Sequence, residues 1–398
     1  MRRRELLKGI TGAFAAMVFS HSRVFGAPQD PQRKNPPVSK QETKVFLAGV
    51  PRGASEEALK SAVRETLLAA SDFSWLSRGD SVFIKPALNS GNPYPATTSP
   101  PAIAAVISLL KEKGARRVIV GDMAGIEHVK LSPESLSGSS RKLMETSGLA
   151  KAVLAAGGEV HFFEESGWKS FYEDPMINGL HWKQGLMMPN ILKEVDHILL
   201  MPRCSRHVLA GATLGLKAVV GYWRTDTRLE YHRDASTLQE KTAEANTART
   251  LVKKQRLIIS AADKILTTIG PDTGHVYQPE IGLIIASESV VAHDMVSLAW
   301  LLENRRLIPP DKKGKFADNS PIVAWLANYW VVHRLGGWKP TLASDRLVKN
   351  DLKTIWDDRV LGRAYHVFNG LPKVALREAN RNLPEDLKKR LNGMTRVG

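Results

Sequence analysis

The chain has 398 residues, 43% hydrophobic and 24% charged, an ordinary balance for a globular protein and a length that allows two domains or one large one with additions. Its single cysteine, Cys204, excludes an internal disulfide and an all-cysteine iron–sulfur site within the chain. The formal charge is +16. The basic residues are scattered, with no stripe and no aromatic-interleaved basic motif, so nucleic acid is not expected and an anionic ligand or membrane surface is.

Taken in chain order, the N-terminus opens with Arg2-Arg3-Arg4-Glu5-Leu6-Leu7-Lys8 and a weakly apolar stretch from Ile10 to Phe19, too short for a comfortable membrane span. Val24-Phe25-Gly26 places small or branched residues where a signal peptidase reads, with Ala27-Pro28 after them. Residues 1–26 therefore read as a twin-arginine signal peptide. The expected partner is the twin-arginine translocase and the expected location is periplasmic or extracytoplasmic. The predicted signal carries +4 of the charge, leaving +12 on the rest. Residues 27–43, rich in Pro, Gln and Lys, read as a linker.

From Lys44 short apolar runs alternate with helical ones. KVFLAGV, SVFIKP, RRVIVGD, EVHFF, DHILLM and GLIIAS read as strands. SEEALKSAVRETLLAAS, PPAIAAVISLLKEKG, SSRKLMETSGLAKAVLAAGG and VVAHDMVSLAWLLEN read as helices. This alternation predicts a mostly parallel, Rossmann-like α/β sheet over residues 44–308, with helices on both faces. Residues 309–398 read as a basic, mainly helical C-terminal extension.

In such sheets ligands bind at the carboxyl ends of the strands. Here those ends carry Lys85, Asp122, then Arg203-Cys204-Ser205-Arg206-His207, then Asp272 and His275, and finally Glu288 with His293-Asp294 behind it. Arg203 and Arg206 beside His207 suit a phosphate or carboxylate. Cys204 reads as a small buried residue or, with cationic neighbours, a nucleophile. Asp122 and Asp294 are candidates to ligate metal, to orient a His or Lys, or to cap a helix. HExxH, GxSxG, Walker and GxGxxG patterns are absent.

The segment Ala210–Val220, AGATLGLKAVV, is apolar apart from Lys217. Three readings stand. The lysine snorkels over apolar neighbours, binds an anion, or is desolvated into a nucleophile that carries a covalent group. His207, His232, His275 and His293 are candidate bases or metal ligands.

The elements FIKPALNS, TTSPPAIAAVISLLKEKGARRVIVGD, ILLMPRCSRH, TLGLKAVVG and IASESVVAHD resemble, over roughly Lys44 to Glu303, domain-of-unknown-function family 362. Departures occur at Ala87 and Ala218, where that family has Asn, and at Arg203, Ser205 and Arg206, where it has Lys, Lys and Thr. A more distant likeness is to the nickel-pincer lactate racemases. His207, then Lys217 ten residues on, then His232 fifteen after that is similar to their His–Lys–His order. That likeness implies a nickel-pincer cofactor, or another metal, with Lys217 as its covalent carrier, His232 as metal ligand and His207 in proton transfer. The resulting expectation is an exported enzyme that holds an anionic substrate or cofactor around Lys85, Asp122, Arg203, Arg206 and Lys217, with racemase- or isomerase-like proton transfer by His207 and Lys217. The alternative is a non-catalytic binding protein for an anionic ligand.

Overall fold

The structure, a computed structural model, describes residues 36–315 and 320–396; the expected signal peptide and the first part of the expected linker lie outside the described residues. Eight strands form the central sheet: β1 (Val38–Pro51), β2 (Ser81–Pro86), β3 (Arg117–Asp122), β4 (Glu159–Phe162), β5 (His197–Met201), β6 (Gln255–Ala262), β7 (Ile281–Ser287) and β8 (Leu371–Glu378). Their order across the sheet is β8-β1-β7-β6-β5-β2-β3-β4. Only β7 runs against its neighbours; the other pairings are parallel. The fold is the mostly parallel α/β sheet that the strand–helix alternation predicts.

Side chains alternate across the sheet, and the two faces bury different partners. Val82 and Ile84 of β2 pack with Val63 and Leu67 of α1 (Glu56–Ala70) and with Val106 and Leu110 of α2 (Pro100–Glu112). Phe83 points to the other face, into a cluster with Phe163, Tyr222, Trp223 and Tyr231. By the same alternation Lys85, the next residue on Phe83's side, enters that aromatic face with its ammonium over the Tyr222 ring at 5.4 Å. Register sets the rest: Ile84 pairs with Val120 and Lys85 with Leu200. The ends of β2, β3 and β5 therefore fall at one edge, and the residues that follow them meet.

Three features differ from the sequence reading. Val38–Thr43 is not linker but the first part of β1, paired with β8 across a register shift between Val38 and Glu42. The C-terminal region is mainly helical but also returns β8, which covers the outer edge of β1. It is built into the same compact unit as the rest of the described chain. The strand QRLIISAA, β6, was missed. It follows a lysine-rich helical turn without punctuation, and the apolar run ILTTI lies just behind it. Only Ile265–Leu266 of that run is extended, in a small four-stranded sheet with Ser205–His207, Gly211–Thr213 and Val276–Tyr277.

Because β7 runs backwards, Glu288 at its end lies at the opposite edge from the ends of β2, β3 and β5. It lines a groove of about 350 Å³ there with Ser39, Gln255 and Phe368. This corrects the expectation that all five strand ends converge. If β8 is integral, Leu376→Ala, at a side chain only 4% exposed, should lower unfolding free energy by about 3 kcal/mol in a denaturant titration. An unchanged midpoint would mean that the C-terminal region is an appendage.

Candidate functional site

The site grows from the ends of β2, β3 and β5 on the aromatic face of the sheet. Lys85 and Asp122 form a buried ion pair at 2.8 Å. Lys85 also donates to the Pro86 carbonyl at 2.8 Å. Asp122 accepts the backbone N–H of Leu88 at 3.0 Å and of Met123 at 2.8 Å. Burial lowers the Lys85 pKa and raises that of Asp122, and each opposes the other's shift by its charge. The pair is thus largely committed to tying two strand-end loops together. Gly221 lies directly against it: a Cβ there would sit 2.4 Å from both Lys85 Nζ and Asp122 Oδ1.

Lys217 sits in the turn Gly215–Ala218. Asp294, from α3 (Val290–Arg305), holds the start of that turn by accepting Gly215 N–H at 2.8 Å and Leu216 N–H at 2.7 Å. Asp294 is therefore a positioning residue, the orienting role among those the sequence left open. Leu216 and Ala218 pack into the sheet core and Val219 into the aromatic cluster. Among the described residues the half-buried Lys217 has no hydrogen-bond or ion-pair partner; its ammonium lies 5.5 Å from the Tyr231 ring centre. Burial first, then the charges of Arg228, Arg203 and Lys85, bring its pKa down to about 7.

Arg203 is 2% exposed, and its Nε and Nη1 have no partner among the described residues. Burial lowers its pKa to about 10, with Asp272 and Asp122 opposing. Arg228, buried on the helix Thr225–Arg233, donates to the carbonyls of Ala124 at 2.6 Å and Met123 at 2.7 Å. Arg206 donates to the Gly211 carbonyl at 2.5 Å, which ties it to its own hairpin. Beside these cations, Asp272 engages Asn89, and His128 at 3.4 Å.

The histidines divide by tautomer, which their partners fix. His207 Nδ1 accepts the backbone N–H groups of Leu209 at 3.1 Å and Ala210 at 3.3 Å. In the neutral ring the proton is therefore on Nε2, which makes that atom a donor. Burial and the charges of Lys217 and Arg203 hold its pKa well below the usual value. His232 is the reverse. Its Nδ1 lies 2.9 Å from Asn328 Oδ1, and the Asn328 amide N donates back to the His232 carbonyl at 2.9 Å. Nδ1 therefore carries the proton and Nε2 keeps its lone pair. Burial brings its pKa to about 3.

The geometry brings together Lys85, Asp122, Arg203, His207, Lys217 and His232, with Arg206 at the margin. His293 is buried between Ser260 at 3.0 Å and Asp294 at 2.9 Å, a structural setting. Cys204 donates to the Ser297 carbonyl at 3.4 Å, and burial pushes its thiol pKa up, so it is a packed residue. His232 belongs to no group of three potential metal ligands; among the described residues that description fits Glu127, His128 and Asp272 at the rim, whose ligand atoms lie within 4.8 Å of one another. Sequence reasoning missed Arg228, Tyr222 and Asn328. Arg228 was detectable, since it stands four residues before His232 and hence on the same helical face.

Lys217 gives the site a pH signature. Its folded pKa of about 7 lies below its ordinary 10.5, so the unfolded chain binds more protons between those values. The empty protein should gain stability from this group as pH rises through that window. A bound anion favours the ammonium, so anion affinity should rise as pH falls through about 7. Calorimetry between pH 6 and pH 9 with sulfate, whose own charge does not change in that window, checks this; a flat profile would show that Lys217 does not face the anion.

No curated protein matches the chain in sequence. Among solved structures it is similar to a protein from Thermotoga maritima, at 13% identity and a TM-score of 0.36, over 53% of this chain and 51% of that one. It is also similar to the lactate racemase apoprotein from Thermoanaerobacterium thermosaccharolyticum, at 13% identity and a TM-score of 0.37, over 58% and 55%. The chain spans about half the length of each. Residues 82–299, more than half of the 398, match the domain of unknown function DUF362, and the chain belongs to that family.

Proposed function

We propose that this chain is an exported enzyme that binds a small organic anion in the cationic cleft and moves a proton on it. The observation that carries the reading is Arg203. A guanidinium taken out of water with two nitrogens unbonded is costly, and Lys217 beside it also lacks a counter-charge. Among the carboxylates near them, Asp122 is committed to Lys85 and Asp272 to Asn89 and His128. An anionic group placed between Arg203 and Lys217 completes both cations.

The tautomers assign the proton-handling atoms. His207 Nε2–H donates to an oxygen on which negative charge develops. His232 Nε2, and Lys217 when neutral, accept a proton from carbon or oxygen. His207 is thereby the electrophile of the site and His232 the base, a reversal of the roles that the racemase likeness implies for them.

A second reading is favoured by His232 Nε2, which keeps its lone pair beside a lysine without a partner. These residues fit a nickel-pincer group, with Lys217 as its covalent carrier and His232 as its metal ligand. Such a group supplies an electron sink when bound. The intact mass and nickel content of protein purified from its native exporter test this: an increment on the Lys217 peptide together with nickel supports the group, and an unmodified lysine without nickel removes it.

For the anion site, Arg203→Gln should weaken binding of pyruvate, lactate or phosphate about 10- to 100-fold by calorimetry. Equal affinity in variant and parent would dismiss the cleft as an anion site. Binding without solvent exchange of a carbon-bound proton in any such ligand would indicate a binding protein. For export, replacing both Arg3 and Arg4 by Lys should strand the precursor in the cytoplasm, read by fractionation; undiminished export would remove the twin-arginine assignment.

A further inference from the structure

We infer that the Lys217 amine forms an imine with the carbonyl carbon of a small 2-oxo acid whose carboxylate rests on Arg203. The inference builds on the anion-binding reading above and takes the lysine as unmodified.

The argument starts from a contrast within the chain. Two lysines, Lys85 and Lys241, are buried among the described residues, and both have carboxylates. Lys85 has Asp122 at 2.8 Å. Lys241 has Asp234 at 3.3 Å and Glu230 at 3.5 Å. Lys217 has none; its ammonium lies 5.5 Å from the Tyr231 ring centre, and the charges of Arg228, Arg203 and Lys85 all disfavour its protonation. A lysine desolvated next to other cations is set to be a neutral nucleophile rather than an ion-pair partner. Its turn is pinned by Asp294 and packed on two hydrophobic clusters, so the amine is presented from a fixed base.

The neighbours supply what imine formation needs. The 2-oxo acid places a carboxylate one bond from its carbonyl, which matches a guanidinium with open nitrogens close to the amine. His207 Nε2–H is the donor for the carbonyl oxygen. The lysine nitrogen bonds to the carbonyl carbon and the carbon–oxygen bond breaks. Two protons leave nitrogen with that oxygen as water. Net, one ammonium and one ketone give one protonated imine and one water, with no oxidant or reductant. The cationic imine then acidifies hydrogens on the adjacent carbon, and His232 Nε2 is the base that receives one.

The test is reductive trapping. Purified full-length protein is incubated with pyruvate, 2-oxobutyrate or 2-oxoglutarate and treated with sodium borohydride, then examined by intact mass and peptide mapping. The expected result is a single adduct on the peptide that contains Lys217, absent in a folded Lys217→Arg variant. Acetone, which lacks the carboxylate, should be trapped at least about tenfold more slowly. Arg203→Gln should abolish most of that preference while leaving acetone trapping in place. Should Lys217→Arg not fold, the position of the adduct in the parent decides. The inference is overturned by no adduct with any of the three acids, by adducts scattered over surface lysines, or by a pre-existing modification on Lys217 in native protein. Calorimetric binding of pyruvate without an adduct overturns the imine and leaves the anion site standing. Neither binding nor adduct overturns both.

Discussion

Cations taken out of water without matching carboxylates are the constraint around which this molecule is organised. Burying an unpaired charge costs several kcal/mol even after relaxation, and the charges of Arg203 and Arg228 lower the proton affinity of both Lys85 and Lys217. The fold meets this in three ways. Lys85 is neutralised outright by Asp122. Arg228 spreads its charge over backbone carbonyls of the turn after β3. Lys217 moves toward the neutral form. Arg203 receives none of these, and its Nε and Nη1 stay without a partner among the described residues. The cationic surplus is tolerable because the sheet beneath it buries three extensive apolar clusters, each of which contributes far more than the local deficit.

The assignment of roles then passes from charge to hydrogen bonding. Two imidazoles in one cationic cleft have the same reason to stay neutral, and burial acts on both alike. What separates them is their partners. A tight turn after His207 aims two N–H groups at its Nδ1, while the side-chain amide of Asn328, on α4 (Pro321–Gly336), takes the proton side of His232. Asn328 cannot reverse its role without giving up its own bond to the His232 carbonyl. A residue from the C-terminal region, far from the sheet edge in sequence, thereby decides which nitrogen of His232 keeps its lone pair.

This explains what was and was not legible in the sequence. The sheet was legible because strands buried on both faces are continuous apolar runs, and those at β2, β3 and β5 are flanked by clear turns. β6 was not, since a lysine-rich helical turn feeds into it without punctuation. β8 was not, because an edge strand with Lys373, Arg377 and Glu378 on it has half the apolar signal of a central one. Among site residues, Lys85, Asp122, Arg203 and His207 follow from the rule that strand ends meet. Tyr222 and Asn328 lie on a turn and a helix whose facing only tertiary packing determines, whereas the spacing of Arg228 from His232 was there to be read. Glu288 was misplaced because periodicity marks a strand without its direction.

The apolar setting of Lys217 now has a physical cause. The segment Leu214–Trp223 must bridge two hydrophobic clusters, one under α3 and one on the aromatic face. Leu214, Leu216 and Ala218 serve the first, and Val219, Tyr222 and Trp223 the second. Gly215 and Gly221 mark the two closest approaches, against Ile258 and against the Lys85–Asp122 pair. A side chain at either glycine would lift the segment from one cluster. With both ends held down, the position between Leu216 and Ala218 is the one that faces the seam. The packing of its neighbours, rather than contacts of its own, thus sets where Lys217 stands, and that placement depends on Asp294 and the two glycines that hold the backbone path.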